Sequence, residues 1–301
     1  MNKEITEKFR AVSEELLENE PMSAHTSFKI GGPADLFASV KSAEETAELI
    51  RLARSLGVAY MVMGNGSNML VGDGGIRGLV IQIGKNIADV AVDGNMITAG
   101  AGAMMSKVAA VAARASLSGF EPLSGIPGTL GGAVYMNAGA YGGEMKNVVK
   151  TVTYIDDNGD LHTVGNAECG FGYRHSVFSD GGKYIVSAVL ELQVGDERTI
   201  RAEMDEYSRR RSEKQPLSQP SAGSTFKRPE GYFAGKLIQD AGLMGYRIGG
   251  AAVSEKHAGF VVNTGGATAE DVLSLIEYII DTVEKKFGVR LEPEVRLVGE
   301  R

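Results

Sequence analysis

Residues 123–143, LSGIPGTLGGAVYMNAGAYGG, limit the fold of this 301-residue chain more than any other feature. Seven of these residues are glycine and none is charged. A surface loop would be more polar, and a core strand would carry far more bulk. Glycine lets backbone approach a ligand closely and adopt positive φ. The run is read as a wall of main chain whose N–H groups face something flat or anionic.

The remaining composition is that of a soluble globular protein, 43% hydrophobic and 23% charged. A net charge of −7 argues against nucleic acid or an anionic membrane surface as partner. It leaves room for a small anionic ligand, which a local cluster of Lys and Arg can hold. The first 21 residues alternate charge and lack the apolar stretch of a signal peptide. No apolar run nears the ~20 residues that span a bilayer, so a cytoplasmic location is expected. Cys169 is the only cysteine, which excludes an internal disulfide. His25, His162, His175 and His257 stand singly, without zinc-ligand spacing, and no metal is expected.

Periodicity and capping signals divide the chain into short elements. Residues 3–18 read as an amphipathic helix. Ser42 and Glu45 have capping-box spacing and open a helix to about Ser55, with Gly57 as its stop. Residues 59–71 read as a buried strand running into a Gly/Asn/Ser turn, and 78–83 as a second strand, so the first 80 residues resemble a βαβ unit. Strands are expected at 89–92, 95–99, 150–156 and 184–193, with a helix near 104–117. A charged helix near 197–213 leads into KQPLSQPSAGSTF, whose prolines mark a domain boundary. Beyond it come a helix near 231–240, a strand at 259–263, a helix at 269–287 opened by Thr268 and Asp271 and stopped by Gly288, and a strand at 294–298. The pattern is α+β, with no repeat.

Two common nucleotide signatures are missing. Gly64 and Gly66 are followed by Met69 where G-x-G-x-x-G needs its third glycine, and no Gly-Lys pair is followed by Ser or Thr. What remains is two glycine-rich segments, MGNGSNMLVGDGG (63–75) and the 123–143 run. The Gly64–Asn68 turn offers successive backbone N–H groups, the composition of a nest for a pyrophosphate. Alone it would read as a tight turn. Two such segments in one chain point to a large phosphate-bearing cofactor.

Eight separated blocks carry a resemblance over almost the whole chain: HTSFKIGG (25–32), GNGSN (64–68), GIPGTLGGAVYMNAGAYGG (125–143), FGYRHS (171–176), AGSTFKRP (222–229), AGKLIQDAGLMGYRIGGAAVS (234–254), HAGFVVN (257–263) and LEPEVRLVGE (291–300). In these blocks and their order the chain resembles the UDP-N-acetylenolpyruvoylglucosamine reductases, the MurB family of peptidoglycan synthesis. The resemblance implies an α+β protein with an FAD-binding fold of the vanillyl-alcohol-oxidase type and a separate α+β substrate domain. It implies non-covalent FAD, with NADPH as co-substrate. The flavin cradle would be Gly64, Asn65, Gly66, Ser67 and Asn68 together with Ser124, Gly125, Ile126, Pro127, Gly128, Gly131, Gly132 and Ala133. Asn137, Gly139 and Ala140 would lie near the isoalloxazine. The pyrophosphate would rest on main-chain N–H groups rather than on arginines.

The implied reaction has two halves. NADPH reduces FAD, and the reduced flavin then reduces the enolpyruvyl group of UDP-N-acetylglucosamine enolpyruvate to give UDP-N-acetylmuramate. Charge spreads into the substrate carboxylate, and C2 takes a proton, so a cation and a proton donor are needed. Arg174 in GYR would pair with the carboxylate, Glu294 in EPEV would act beside it as acid or hydrogen-bond partner, and Ser224 in AGSTF would deliver the proton. Without the resemblance these read as a surface arginine, a strand-start charge and a loop hydroxyl. Tyr141, Lys227 and Gln239 are candidate substrate contacts; Tyr141 could instead fill a gap in the glycine wall, with the ligand-facing role slightly favoured. Arg228 stands where the family often has Asn. The run Arg209–Arg211 reads as a solvated helix face, Cys169 as a small buried apolar residue, and His257 as structural or cofactor-facing.

Only 50 positions separate Arg174 from Ser224. That spacing resembles the shorter subtype, which lacks the inserted tyrosine loop that closes over the substrate. The expected division is 1–79 plus 294–301 as one FAD-binding subdomain, 80–198 as a second, and 199–293 as the substrate domain, in a monomer. Two rivals stand beside this reading: an oxidase of the same flavin fold, and a non-catalytic flavin or sugar-nucleotide binder.

Overall fold

In a computed structural model, residues 2–301 are described. The chain folds into two compact units, Met1–Leu17 with Leu36–Asn65 and Gly78–Arg211, and Glu18–Asp35 with Gly66–Arg77 and Ser212–Arg301. The cut therefore falls at 211/212, thirteen residues beyond the expected 198/199, and no cut falls between the two expected FAD-binding subdomains.

The first unit begins with α1 (Lys3–Val12), whose Asn2 side chain accepts the Glu4 N–H. The helix stops well short of residue 18. The chain is already extended at Leu17–Pro21, and Asn19 takes φ +52°, outside the helical region. Ser42 caps α2 (Ala43–Ser55) by accepting the Glu45 N–H at 3.2 Å. The Glu45 carboxylate reaches back to the Lys41 N–H rather than that of Ser42, a capping box displaced by one residue. The strand Tyr60–Met63 runs parallel to Leu79–Gln82, as a βαβ unit requires, and the sheet order is Leu17–Pro21, Pro33–Ser39, Ile76–Gln82, Tyr60–Met63.

A second, five-stranded antiparallel sheet has the order Leu161–Gly165, Val149–Asp156, Lys183–Glu191, Met96–Gly100, Val90–Asp93. Its edge strand Leu161–Gly165 carries no alternating apolar signal, because its first three residues are exposed. The alanine-rich α3 (Met105–Arg114) and the short α4 (Leu130–Tyr135) contribute Val108, Ala112, Leu130 and Val134 to the core around Phe120 and Phe178. The long charged α5 (Glu197–Lys214) buries only Ile200 fully.

The second unit packs α6 (Ala234–Asp240) and α7 (Ala269–Phe287) with a three-stranded antiparallel sheet, Arg247–Ile248, Ala251–Val253, Val261–Asn263. Its core joins Leu237, Val272, Leu275 and Ile279 to Phe28, Leu70 and Phe226. α7 has the bounds its caps announce: Thr268 accepts the Asp271 N–H, Asp271 returns a bond to the Thr268 N–H, and Gly288 closes at φ +67°. Asp73 adds a second cap, accepting from the Ala269 and Glu270 N–H groups. The strand Arg296–Val298 pairs in parallel with Met69–Val71 and so ties the end of the chain to the GNGSN turn.

Candidate active site

The glycine-rich run is not one extended wall. It starts at the last residue of a 3-10 turn (Glu121–Leu123), passes through α4, and ends in a tight hairpin of Gly139–Ala140 with Gly143–Glu144. Two of its glycines have packing reasons. A Cβ on Gly131 would sit 2.8 Å from the Ala101 Cβ, and the Gly131 N–H bonds the Ala101 carbonyl at 2.8 Å. A Cβ on Gly139 would sit 2.7 Å from the Glu144 Cγ. Gly128 adopts φ +112°, which only glycine takes readily, and its carbonyl accepts the Met105 N–H. Ser124 turns its hydroxyl back onto the Glu121 carbonyl at 2.7 Å. Ile126 packs on the core, Ala133 is buried, and Pro127, Gly132 and Ala140 complete the segment.

Asn137 is 1% exposed and takes φ +43°. Its amide donates to Glu144 Oε2 at 3.0 Å and to the Gly172 carbonyl at 2.9 Å, and its Oδ1 accepts the Lys146 N–H at 2.9 Å. The Gly172 bond matters because Gly172 and His175 bridge each other across a tight turn that presents Arg174. Arg174 has φ +55°, its guanidinium reaches the Gly139 carbonyl at 3.4 Å, and it lies 5.1 Å from the Tyr173 ring centroid. Asn137 and the hairpin thus position the arginine. Glu144 stands in the same cluster. Its Lys146 partner, at 2.8 Å, holds its pKa below the usual carboxylate value, helped by Asn137 and Arg174.

Six non-glycine residues among those described have positive φ, and Asn137, Tyr141 and Arg174 are three of them. Such backbone costs on the order of 1–3 kcal/mol per residue, and half of these positions fall among the expected site residues. Tyr141 stacks on Tyr207 of α5, with centroids 4.7 Å apart and planes 22° apart. One turn further along α5, Arg211 lies against Gly125: a Cβ there would sit 3.0 Å from its Nε. This corrects the reading of Arg209–Arg211 as a uniformly solvated face. Arg209 and Arg210 do pair with Glu206 on the surface, but Arg211 turns inward. Glu144, Tyr207 and Arg211 were not legible as site residues, since nothing in the run of charges marks which arginine turns inward.

The GNGSN turn passes from the first unit to the second after Asn65. In the first, a Cβ on Gly64 would lie 2.5 Å from Thr129 Oγ1. In the second, Gly66 takes φ +59° with the His25 carbonyl 2.3 Å from where its Cβ would be, and its own carbonyl accepts the Ser27 N–H. Ser67 follows, and the Asn68 side chain donates to the Glu294 carbonyl at 3.1 Å.

That bond leads to the other two expected catalytic residues, both in the second unit. The chain around Phe226 bridges that around Pro293, with the Glu294 N–H on the Thr225 carbonyl at 2.8 Å and the Lys227 N–H on the Glu292 carbonyl at 2.9 Å. Ser224, exposed, thus lies one residue from the backbone bond to Glu294. Thr225 is buried and its hydroxyl accepts the Val261 N–H. Lys227 Nζ pairs with Glu292 at 3.2 Å. Gln239 is exposed on α6. His257 is structural at its Nδ1, which accepts the Gly259 N–H. Cys169 is buried, and burial raises its thiol pKa to about 11. Among the described residues no cluster of three or more His, Cys, Asp or Glu is arranged to hold a metal, and no helix is long and apolar enough to cross a membrane.

Residues 34–165 match the FAD binding domain family, and residues 215–298 match the C-terminal domain of UDP-N-acetylenolpyruvoylglucosamine reductase. A UDP-N-acetylenolpyruvoylglucosamine reductase of Caldanaerobacter subterraneus subsp. tengcongensis is 51% identical over 99% of both chains. The chain belongs to the UDP-N-acetylenolpyruvoylglucosamine reductase family. Another member, from Lachnoclostridium phytofermentans, is 50% identical over 100% of this chain and 99% of its own. The crystal structure of the Thermus caldophilus reductase superposes with a TM-score of 0.81 at 37% identity, covering 94% of this chain and 98% of that one. The fold is accordingly α+β with an FAD-binding domain of the vanillyl-alcohol-oxidase type. The residues present fit the flavin: the 124–128 segment carries no side chain at Gly125 and Gly128, and a guanidinium nitrogen beside Gly125 has no acceptor among the described residues.

Proposed function

We propose that this chain is a cytoplasmic, monomeric, NADPH-dependent flavoprotein reductase that converts UDP-N-acetylglucosamine enolpyruvate to UDP-N-acetylmuramate in peptidoglycan precursor synthesis. The end-to-end likeness to reductases of that name, 99% of both chains at 51% identity, carries the reading. Bound FAD would supply the two-electron exchange between NADPH and the enolpyruvyl double bond.

The chain's own residues would do the rest. Gly64–Asn68 and Ser124–Ala133 would hold FAD, with Asn137–Ala140 beside its ring. Arg174, fixed by its turn and by Gly139, would offer two parallel donors to the substrate carboxylate as charge spreads into it. Ser224 would donate the proton to C2. A hydroxyl is a weak acid, but a developing carbanion is a strongly basic acceptor. Glu294, whose backbone is fixed by Thr225 and Asn68, would act beside the carboxylate as acid or hydrogen-bond partner. Tyr141, Lys227 and Gln239 would contact the substrate, with Lys227 releasing or sharing Glu292. The 199–293 portion would form most of the substrate domain.

The test is turnover. Purified protein should be yellow, NADPH should bleach it anaerobically, and steady NADPH oxidation should require the enolpyruvyl substrate and yield UDP-N-acetylmuramate mole for mole. Oxidation sustained by oxygen alone would favour an oxidase, and absence of bleaching a binding protein.

A further inference from the structure

Arg211 has a feature that its family assignment does not explain. It is the third arginine of a run, and its two neighbours Arg209 and Arg210 pair with Glu206 on the surface. Its Nε is buried and meets no acceptor among the described residues. Glu121 Oε1 is the other buried side-chain atom without a partner, so these two atoms do not bond each other. Burial lowers the Arg211 pKa from its usual value, with Tyr141 acting the other way, but a guanidinium stays charged in any such setting. Arg211 as a whole is half-buried, but a guanidinium N–H that is taken out of water and left without an acceptor is costly, and a ligand oxygen would complete it.

The surroundings say which ligand. Nε lies 3.0 Å from where a Gly125 Cβ would be, so the absence of that Cβ is what lets the guanidinium come this close to the main chain. One helical turn back, Tyr207 stacks on Tyr141 and fixes the approach of α5 to the glycine run. Gly125 and Tyr141 both fall within the 34–165 segment that matches the FAD binding domain, whereas Arg211 lies outside both matched segments. Oxidised FAD has a neutral ring, and its only anionic part is the diphosphate. A guanidinium matches phosphate oxygens with two parallel bonds.

We propose that Arg211 of α5 is a cofactor-binding residue that clamps the FAD diphosphate against the Ser124–Gly128 segment. The cradle is then not made of main chain alone: a helix outside the FAD-binding segment closes it with a charge.

The test uses holoenzyme. Diluting it and following the flavin fluorescence that appears on release gives the FAD Kd. Losing a charge-assisted bond to phosphate should raise that Kd roughly tenfold to a hundredfold in Arg211→Met. The salt dependence of release should become shallower. Arg210→Met, which removes only a surface partner of Glu206, should stay within twofold of the parent. Substrate KM at saturating FAD should be unchanged. A Kd for Arg211→Met within twofold of the parent overturns the proposal, whatever the thermal stability does. So does a raised substrate KM with unchanged FAD Kd, which would give the anion to the substrate, or an altered flavin potential with unchanged oxidised-FAD Kd, which would give it to the reduced ring. If Arg211→Met yields no soluble holoenzyme, Arg211→Lys decides. It keeps the charge but not the fork, so FAD must weaken at least threefold, and equality with the parent overturns the clamp. The proposal rests on the flavin reading, and the two fail separately: parent protein without flavin defeats that reading, while parent and variant holding FAD equally defeat only the clamp.

Discussion

Replacing Asn137 by alanine should unfold the Arg174 corner before anything else. The side chain makes three hydrogen bonds within the protein, to Glu144 Oε2, the Gly172 carbonyl and the Lys146 N–H. Glu144 keeps Lys146 as partner at 2.8 Å, but the Gly172 carbonyl and the Lys146 N–H lose theirs. Both groups are part-buried, so leaving them unmatched costs at most about 1–3 kcal/mol each. The backbone at φ +43° adds on the order of 1 kcal/mol, because alanine lacks the local bonding that lets Asn adopt this region. The sum is at most roughly 3–7 kcal/mol, which for a protein of this size lowers Tm by up to roughly 6–28 °C. Asn137→Gly separates the two contributions, since it removes the bonds but not the conformational freedom, and should recover about 1 kcal/mol of the loss. Thermal unfolding of parent and both variants as holoenzyme, with FAD in excess, measures it. Because Gly172 anchors the Arg174 turn, reoxidation of reduced enzyme by substrate should slow more than reduction by NADPH. A loss under 1 kcal/mol in Asn137→Ala, or equal slowing of both half-reactions, would refute the reasoning.

Arg174→Lys keeps the charge but not the two-pronged fork, so NADPH-driven bleaching should stay near normal while reoxidation by substrate slows; equal slowing of both would assign Arg174 to the flavin or the fold. Ser224→Ala should leave FAD binding and bleaching intact and cut turnover by ~10²–10⁴, with Ser224→Cys retaining more activity than alanine. Glu294→Gln should lower the oxidative half-reaction and change its pH profile, and an unchanged profile would count against a protonation role. Burial lowers the His257 pKa below its usual 6.5, so as pH falls below 6.5 the unfolded chain takes up a proton that the folded chain does not. Stability should therefore decline with falling pH until the depressed folded value is passed, and chemical denaturation of His257→Gln should show a flatter profile across that window.

Local signals were legible where local physics decides. Thr268, Asp271 and Gly288 announced α7 to the residue, and Ser42 and Gly57 bounded α2. The signals failed where distant packing decides. Leu161–Gly165 is a strand because Val149–Asp156 offers it an edge, not because its own side chains alternate. The 123–143 run looked like continuous main-chain wall, yet Gly131 is small so that α4 can press on Ala101. Among the site residues, Arg174, Ser224 and Glu294 were readable only through their sequence blocks, because nothing about a lone Arg, Ser or Glu names a role. Arg211 was misread for a physical reason: three successive arginines on a helix point in three directions 100° apart, and only the fold shows which of them faces the glycine run.

The central claim is that this chain reduces the enolpyruvyl group through its own bound flavin, and rapid mixing addresses it without steady-state ambiguity. Holoenzyme is reduced anaerobically with one equivalent of NADPH, then mixed with UDP-N-acetylglucosamine enolpyruvate while absorbance near 450 nm is followed. The account predicts that the yellow colour returns in a single turnover, with one equivalent of UDP-N-acetylmuramate formed per flavin. Colour that stays bleached with this substrate and returns only when oxygen is admitted would contradict it.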